Sequence, residues 1–213
     1  MDFNSMDFNS YRYIWPPRPE TKISPSSIHN FETGEYLGQP KLNGSCMQLY
    51  TDGDAVVVMN RHKQPLAYKI GDDELRRLHR GNGWMVLCGE YMNKGQKDET
   101  GRPWIDRFVV FDIIVHEGKH LLGTTFEERH ELLRKLYPDD PVKKHLHRIS
   151  ENCFRVGSTK TGFTEMYEDI TRHPMYEGLV MKLARGRLEN GTSEMNNVRT
   201  QIKCRKPTKN YAF

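Results

Sequence analysis

The sequence predicts an α+β fold with mostly antiparallel sheets and helices at their periphery. Three observations lead to this expectation. Short runs rich in β-branched and aromatic residues recur along the chain, turn signals separate them, and three segments show helical spacing. With 213 residues, the chain is long enough to bury the core of one large domain or two small ones.

Residues 1–34 are predicted to form an N-terminal arm ahead of a domain that spans residues 35–213. The first five residues are repeated verbatim as residues 6–10, and a proline-rich stretch follows at residues 15–19. A direct repeat followed by prolines is typical of a tail or packing arm rather than of a folded core.

The predicted strands begin with a hairpin, in which residues 45–50 and 55–60 flank an Asp-Gly-Asp turn at residues 52–54. Further strands are expected where β-branched or aromatic residues dominate. These segments are residues 84–91, 107–115, 152–156, 177–183 and 198–204.

The clearest predicted helix follows Thr124 and Thr125, whose hydroxyl groups suit an N-cap and are followed by two acidic residues. Leucines at helical spacing continue this helix to Leu136, and Pro138 ends it. A second helix is expected at residues 163–171 and a short one at residues 72–79.

Composition and hydropathy exclude several classes of protein. The apolar runs at residues 108–111 and 113–115 are interrupted by Asp112 and are too short to cross a bilayer, and the N-terminus has no secretory signal. We therefore expect a protein without a membrane partner, located in the cytoplasm, or in that of the host cell if the gene is viral. The four cysteines lack the spacing of a disulfide framework or a zinc site.

The segment Lys41-Leu42-Asn43-Gly44 contains the candidate nucleophile. An amine that attacks an α-phosphate must be deprotonated and exposed at the mouth of a pocket. Because glycine and asparagine also favour turns, the tetrapeptide alone fits an ordinary turn before a strand equally well. Its interpretation depends on the segments that follow it.

Residues 39–206 resemble the covalent nucleotidyltransferase superfamily of ATP-dependent DNA ligases, RNA ligases and mRNA capping enzymes. The matching segments occur in the family's order: KLNG at 41–44, Arg61 after the hairpin, LCGEY at 87–91, FVVFDI at 108–113, EERHELL at 127–133, EGLVMK at 177–182 and IKCRK at 202–206. The last departs from the family's lysine-x-lysine, because Arg205 holds the second position.

The resemblance implies the ATP-grasp-like nucleotidyltransferase domain of ligases. Since the sequence ends at Phe213, seven residues after Lys206, no appended oligonucleotide-binding (OB) domain is expected.

The resemblance also implies roles for individual residues. Lys41 would carry AMP covalently, and Lys182 and Lys203 would neutralise charge on the α-phosphate, so these three are the predicted catalytic residues. Glu177 would hold Mg²⁺ or Mn²⁺. The predicted nucleotide-binding residues are Gln39, Arg61, Glu90, Phe111, Glu177, Lys182, Lys203 and Arg205.

Each residue type suits its implied role. Phe111 would stack on the adenine, an interaction worth about 1–3 kcal/mol, and the Gln39 amide would complement the adenine edge, although it could flip for guanine. Glu90 would accept from ribose hydroxyls, and Arg61 would lie near ribose or phosphate. Taken singly, such residues are more often core or surface residues, so only their joint occurrence favours the functional interpretation.

The implied function is an ATP-dependent polynucleotide ligase, acting as a monomer, that joins 5′-phosphate and 3′-hydroxyl ends of nucleic acid. RNA is favoured over DNA because no OB domain is expected. The alternatives are a compact DNA ligase that clamps duplex through the basic residues 76–80, a GTP-using capping enzyme, and a catalytically silent nucleic-acid-binding module.

Overall fold

The computed structural model describes residues 11–208, so the duplicated pentapeptide lies outside the described residues. The strands are β1 (Arg18–Lys22), β2 (Tyr36–Leu42), β3 (Ser45–Thr51), β4 (Val56–Met59), β5 (Met85–Tyr91), β6 (Phe108–His116), β7 (Lys119–His120), β8 (Pro141–Lys143), β9 (Leu146–Arg148), β10 (Cys153–Val156), β11 (Tyr176–Leu183) and β12 (Asn197–Arg205). The helices are α1 (Asp72–Arg76), α2 (Phe126–Leu136) and α3 (Phe163–Ile170), and a 3₁₀ helix covers Pro25–Phe31.

The strands form two sheets. The smaller has the order β1-β12-β11-β2, and the larger has the order β4-β3-β5-β6-β10-β9-β8, with β7 paired to β6. Only β1/β12 and β6/β10 are parallel among the described pairs. The predicted α+β class, with mostly antiparallel sheets and peripheral helices, is confirmed.

Most predicted elements form close to their expected limits. The hairpin pairs β3 with β4. Helix α2 starts with a capping box, in which the Thr125 hydroxyl accepts from the Glu128 backbone and the Glu128 carboxylate accepts from the Thr125 backbone. Helix α1 ends earlier than predicted, because the chain after Arg76 continues as a tight turn stabilised by Arg80, which donates to the carbonyl groups of Arg77 and His79.

Strand β2, which contains Lys41, was not predicted. Pro40 lies within it and has no N–H to donate, so the segment had the pattern of a turn. The strand is tolerated because β2 is at the edge of the smaller sheet, where one side of the backbone does not pair with a neighbouring strand. Lys41 is therefore fixed in a sheet rather than carried by a loose turn.

The smaller sheet is apolar on one face. Leu179 and Met181 of β11 and Leu42 of β2 are buried there against helix α3, through Phe163 and Met166. The larger sheet buries its own core beneath α1 and α2. The predicted site residues of β2, β11 and β12 lie on the remaining face of the smaller sheet, whereas Glu90 and Phe111 lie on the larger sheet.

Residues 11–34 pack against the domain that was predicted to start at residue 35. Ile14 is completely buried, and the Tyr11 hydroxyl donates to Gln48 on β3. Strand β1 then adds an edge to the smaller sheet beside β12. No helix within residues 11–208 is both long and apolar enough to span a membrane.

Candidate active site

The register of the smaller sheet aligns four of the predicted site residues in two rows. Across β11, Lys41 is level with Arg205, and Gln39 is level with Lys203. Directly opposite residues in antiparallel strands point to the same face, as do residues two apart along a strand. All four side chains therefore share one face, opposite the one that packs on α3.

Glu177 joins this face through a β-bulge. Tyr176 pairs with Leu42 and Gly178 pairs with Lys41, so Glu177 has no partner on β2. The bulge leaves Tyr176 in the core and turns Glu177 towards Lys41. Gly178 is required here, because it has φ +154° and a Cβ would lie 2.0 Å from the Cys204 carbonyl oxygen.

Lys41, Glu177 and Arg205 form a charged triad. The Lys41 ammonium donates to Glu177 Oε2, and Arg205 Nε lies 2.7 Å from Glu177 Oε1. About a fifth to a quarter of each side chain is exposed, at 21%, 24% and 21% respectively. Arg205, which stands where the family has a lysine, thus contacts the same carboxylate as the candidate nucleophile.

Glu90 lies beside this triad, on strand β5 of the larger sheet. Its Oε1 accepts a hydrogen bond of 2.9 Å from the Gly44 backbone. Desolvation raises the pKa of Glu90 to about 6, against the opposing charge of Lys41. Gly44 is required by close approach rather than by a positive φ, because a Cβ there would lie 2.3 Å from the Tyr91 carbonyl oxygen.

Lys182 lies between two aromatic rings. Its Nζ is 4.9 Å from the centre of the Phe111 ring and 4.7 Å from that of Phe126. Only 5% of the residue is exposed, and desolvation lowers the pKa of Lys182 to about 8. Phe111 itself is partly exposed.

A buried ion pair supports this aromatic pocket. Arg129 Nε lies 2.8 Å from Asp112 Oδ1, and the two side chains are each 3% exposed. Asp112 follows Phe111 on β6, and the Asp112 charge opposes the lowering of the Lys182 pKa. Lys182 is opposite Leu37, four residues along β2 from Lys41 and hence roughly 13 Å from it along the strand.

Gln39 is 1% exposed, and neither its Nε2 nor its Oε1 has a hydrogen-bond partner within the described part of the chain. An unpaired buried polar group costs about 1–3 kcal/mol. Native proteins accept few such groups, and each needs an explanation. A ligand that pairs with the amide would supply one.

Lys203 and Arg61 flank the triad. Lys203 Nζ donates to the Pro19 carbonyl oxygen of β1 at 3.2 Å, and burial lowers the pKa of Lys203, helped by the charges of Arg205 and Lys41. Arg61 is exposed, and its charge, like that of Lys41, opposes the raised pKa of the half-buried Cys46. Of the predicted residues, Lys41, Glu177 and Arg205 are in direct contact, and Lys182 and Phe111 form a second contact group.

Glu177 and Glu90 are the carboxylates available for a metal ion at this site. Within residues 11–208, no group of three or more histidine, cysteine or acidic side chains is arranged to hold one. Such a donor set fits Mg²⁺, which is typically bound through one or two carboxylates together with substrate phosphates and several waters.

Sequence reasoning missed Phe126, the Arg129–Asp112 pair and the requirement for Gly178. Phe126 and Arg129 were assigned only to a helix, and no sequence signal linked that helix to Lys182. The basic residues at 76–80 are partly committed elsewhere, since Arg76 pairs with Asp73, and Arg80 donates to backbone carbonyls and lies over the Tyr137 ring.

A cavity of about 280 Å³ lies between α2 and strands β9 and β10. None of the predicted site residues lines it, and its charged groups are paired with one another, as Lys160 is with Glu127 and Arg155 with Asp139. Leu37, at the far end of β2 from Lys41, is the residue of the Lys41-bearing face that lines the cavity.

A family model described as RNA ligase matches residues 34–204. A search of curated proteins gave no match. Among solved structures, the chain is similar to a mycobacterial DNA ligase D complexed with ATP and MES, with a TM-score of 0.62, 16% identity, and coverage of 92% of this chain and 62% of the other.

An ATP-dependent DNA ligase from bacteriophage T7, in complex with ATP, has a TM-score of 0.54, 15% identity, and coverage of 90% of this chain and 68% of the other. The DNA ligase-adenylate of Chlorella virus has a TM-score of 0.52, 12% identity, and coverage of 89% and 68%. At these identities the similarity establishes the fold alone. The chain spans less than two thirds of the mycobacterial ligase.

Proposed function

This chain belongs to the RNA ligase family, and on that premise we propose that it is an ATP-dependent polynucleotide ligase that works through a lysine–AMP intermediate on Lys41. The observation that carries the proposal is the alignment of Lys41 with Glu177 and Arg205, on the same sheet face as the unpaired buried amide of Gln39. The Gln39 amide would pair with the base of the nucleotide. It lies two residues along β2 from Lys41, whose amine is close to the cationic side chain of Arg205.

The nucleotide is proposed to lie along this face. Its base would pair with Gln39 and stack on Phe111 near Lys182, since those side chains line the buried end. Glu90 and Arg61 would contact the ribose side. The phosphates would lie at Lys41, Lys203 and Arg205, where the cations are concentrated.

Glu177 would hold Mg²⁺ or Mn²⁺ through water and phosphate oxygens. A bound divalent cation would neutralise charge on the phosphates. The chain's own part is to hold Lys41 in place, because Glu177 and the strand pairing fix the position of the amine before it attacks.

In the proposed reaction, the Lys41 ammonium gives one proton to solvent and leaves Glu177 as a neutral amine. The amine forms a bond to the α-phosphorus as the bond to the β-phosphate oxygen breaks and pyrophosphate departs, and the nitrogen then releases its second proton to solvent, which leaves a neutral phosphoramidate N–H. Lys203 and Arg205 stabilise the phosphate charge. AMP then passes to a 5′-phosphate, and a 3′-hydroxyl displaces it to join the ends.

RNA is proposed as the substrate because the matching family model is that of RNA ligases. A DNA ligase is the second candidate, since the similar solved structures are DNA ligases. We further propose that residues 35–213 form the adenylation domain, with residues 1–34 as its N-terminal extension, and that the protein acts as a monomer in the cytoplasm.

Incubation with labelled ATP and Mg²⁺ tests the proposal. The protein should acquire a covalent AMP label that Lys41→Ala abolishes, whereas Lys135→Ala, at an exposed position of α2, should retain it. Label from GTP alone would identify capping chemistry, and no label would contradict the ligase proposal. Sealing of matched nicked substrates, with DNA or RNA at the 3′ side, then distinguishes the two polynucleotides.

A further inference from the structure

The N-terminal segment forms one side of the proposed active site. Strand β1 pairs in parallel with β12, which carries Lys203 and Arg205. Two hydrogen bonds join the strands at Lys203: its Nζ donates to the Pro19 carbonyl oxygen at 3.2 Å, and its own carbonyl accepts from the Ile23 backbone at 3.0 Å. These bonds hold β1 against β12 beside Lys203.

Arg18 begins β1 and is held there by its backbone, which donates to the Asn196 carbonyl oxygen at 2.8 Å. The residue is half-buried, yet its guanidinium has only the Met195 sulfur as a hydrogen-bond partner, at 3.4 Å, among the residues that the structure describes. No carboxylate within residues 11–208 forms an ion pair with it. By contrast, two arginines of β12 have carboxylate partners, because Arg205 contacts Glu177 and Arg199 contacts Glu20.

The positive charge of Arg18 affects the pKa values of two groups near the site. It contributes to the lowered pKa of Lys203, after burial and the charges of Arg205 and Lys41. It also opposes the raised pKa of Cys46, together with Arg61 and Lys41. Cations thus outnumber the two carboxylates, Glu90 and Glu177, around this face.

We propose that Arg18 is a phosphate-binding residue of the active site, and that it contacts a phosphate other than the one attacked by Lys41. A guanidinium without a carboxylate partner presents a planar fork of donors that matches phosphate oxygens. The strand order β2, β11, β12, β1 sets Arg18 on the far side of β12 from Lys41. Its backbone is level with Asn197, and a register shift after Pro19 brings the Pro19 carbonyl oxygen within reach of Lys203 Nζ. The inference rests on the proposed function and adds the N-terminal segment to its site.

Two different phosphates would suit binding by the Arg18 guanidinium. One belongs to the pyrophosphate portion of ATP, and the other is the 5′-phosphate of the polynucleotide. They act in different steps, so the steps can be assayed separately. Label transfer from ATP to the protein measures the first, and transfer of AMP from already adenylated protein to a 5′-phosphorylated strand measures the second.

The test compares Arg18→Gln and Arg18→Lys with wild type and with Arg12→Gln, which changes an exposed arginine of the same segment. Arg18→Gln should raise the KM for ATP, or lower the rate of transfer to the 5′-phosphate, about tenfold or more. Arg18→Lys should recover part of the loss, because it keeps the charge without the fork. The melting temperatures should remain close to that of wild type.

A loss in the first step identifies the ATP phosphates, and a loss confined to the second identifies the polynucleotide phosphate. Both results support the inference. It is overturned if Arg18→Gln matches Arg12→Gln in both steps, or if the loss accompanies a fall in melting temperature that Arg18→Lys does not repair. Absence of label in wild type would instead overturn the proposed function itself.

Discussion

The ammonium of Lys41 is hydrogen-bonded to the carboxylate of Glu177, although the two residues lie on different strands, 136 positions apart in the sequence. The guanidinium of Arg205 contacts the other oxygen of the Glu177 carboxylate. Glu177 therefore balances two cations and positions the amine. In the proposed reaction, the amine must part from Glu177 before it attacks the α-phosphate.

Glu177→Gln should slow labelling from ATP by about 100-fold or more, because the amide keeps the shape but loses the charge that positions Lys41 and would hold a divalent cation. Single-turnover labelling at saturating ATP and a range of Mg²⁺ concentrations measures the effect. Glu168→Gln, at an exposed position of α3, is the matched control. A labelling rate for Glu177→Gln within threefold of the control, roughly 0.7 kcal/mol, would argue against this role.

Gly178→Ala should destabilise the protein by about 2–4 kcal/mol and greatly reduce labelling. The added methyl group would overlap the Cys204 carbonyl oxygen, and relief of that overlap would undo the bulge that turns Glu177 to Lys41. Gly71→Ala is the control, because a Cβ at Gly71 has no atom within 4 Å. Urea unfolding reports stability; a variant as stable as the control would show that the strand adapts.

Lys182→Met should raise the free energy of unfolding at pH 7 by about 1–3 kcal/mol while weakening ATP binding. Desolvation lowers the pKa of Lys182 from 10.5 to about 8. Between those values the unfolded chain binds more protons, so the wild-type free energy of unfolding should rise with pH in this window, by up to about 3 kcal/mol.

Urea unfolding at pH 7 and at pH 9.5 checks the Lys182 prediction. The difference in stability between wild type and Lys182→Met should shrink at the higher pH, where the folded wild type no longer buries the charge. Lys135→Met, at an exposed position, should stay within about 0.5 kcal/mol of wild type at pH 7. A difference that grows with pH would mean that the Lys182 charge is stabilised by its surroundings.

The sequence was most informative where local chemistry determines structure. The capping box at Thr125 and the hairpin from β3 to β4 depend on neighbouring residues, and both formed as predicted. The fold class and family also followed from the order of the segments. The roles of individual site residues remain predictions until they are tested by substitution.

The remaining features depend on residues that are distant in sequence. Strand β2 pairs with β11, more than 130 residues away, so its Pro40 resembled part of a turn. The bulge at Glu177 appears only when Tyr176 and Gly178 are aligned with β2. Likewise, Phe126 reaches Lys182 through packing between a helix and a sheet, which no periodicity in either segment encodes.

Gln39 and Gln48 are both buried, at 1% and 2% exposure, but differ in their hydrogen bonds. Gln48 accepts from the Tyr11 hydroxyl and donates to the Ile14 carbonyl oxygen at 2.7 Å, whereas both polar atoms of Gln39 are unpaired within the described residues. Gln48 is therefore paired within the folded chain, whereas the amide of Gln39 is available to a ligand.

The same substitution should have opposite effects on stability at these two positions. Gln39→Met keeps an unbranched side chain and removes an unpaired amide, so it should raise the free energy of unfolding by about 1–2 kcal/mol and weaken ATP binding about tenfold or more. Gln48→Met removes the acceptor of the Tyr11 hydroxyl and the donor to the Ile14 carbonyl oxygen, and should lower stability by about 1–3 kcal/mol. Urea unfolding and ATP titration measure both. Equal losses of stability would mean that the Gln39 amide is paired in solution and is not reserved for a base.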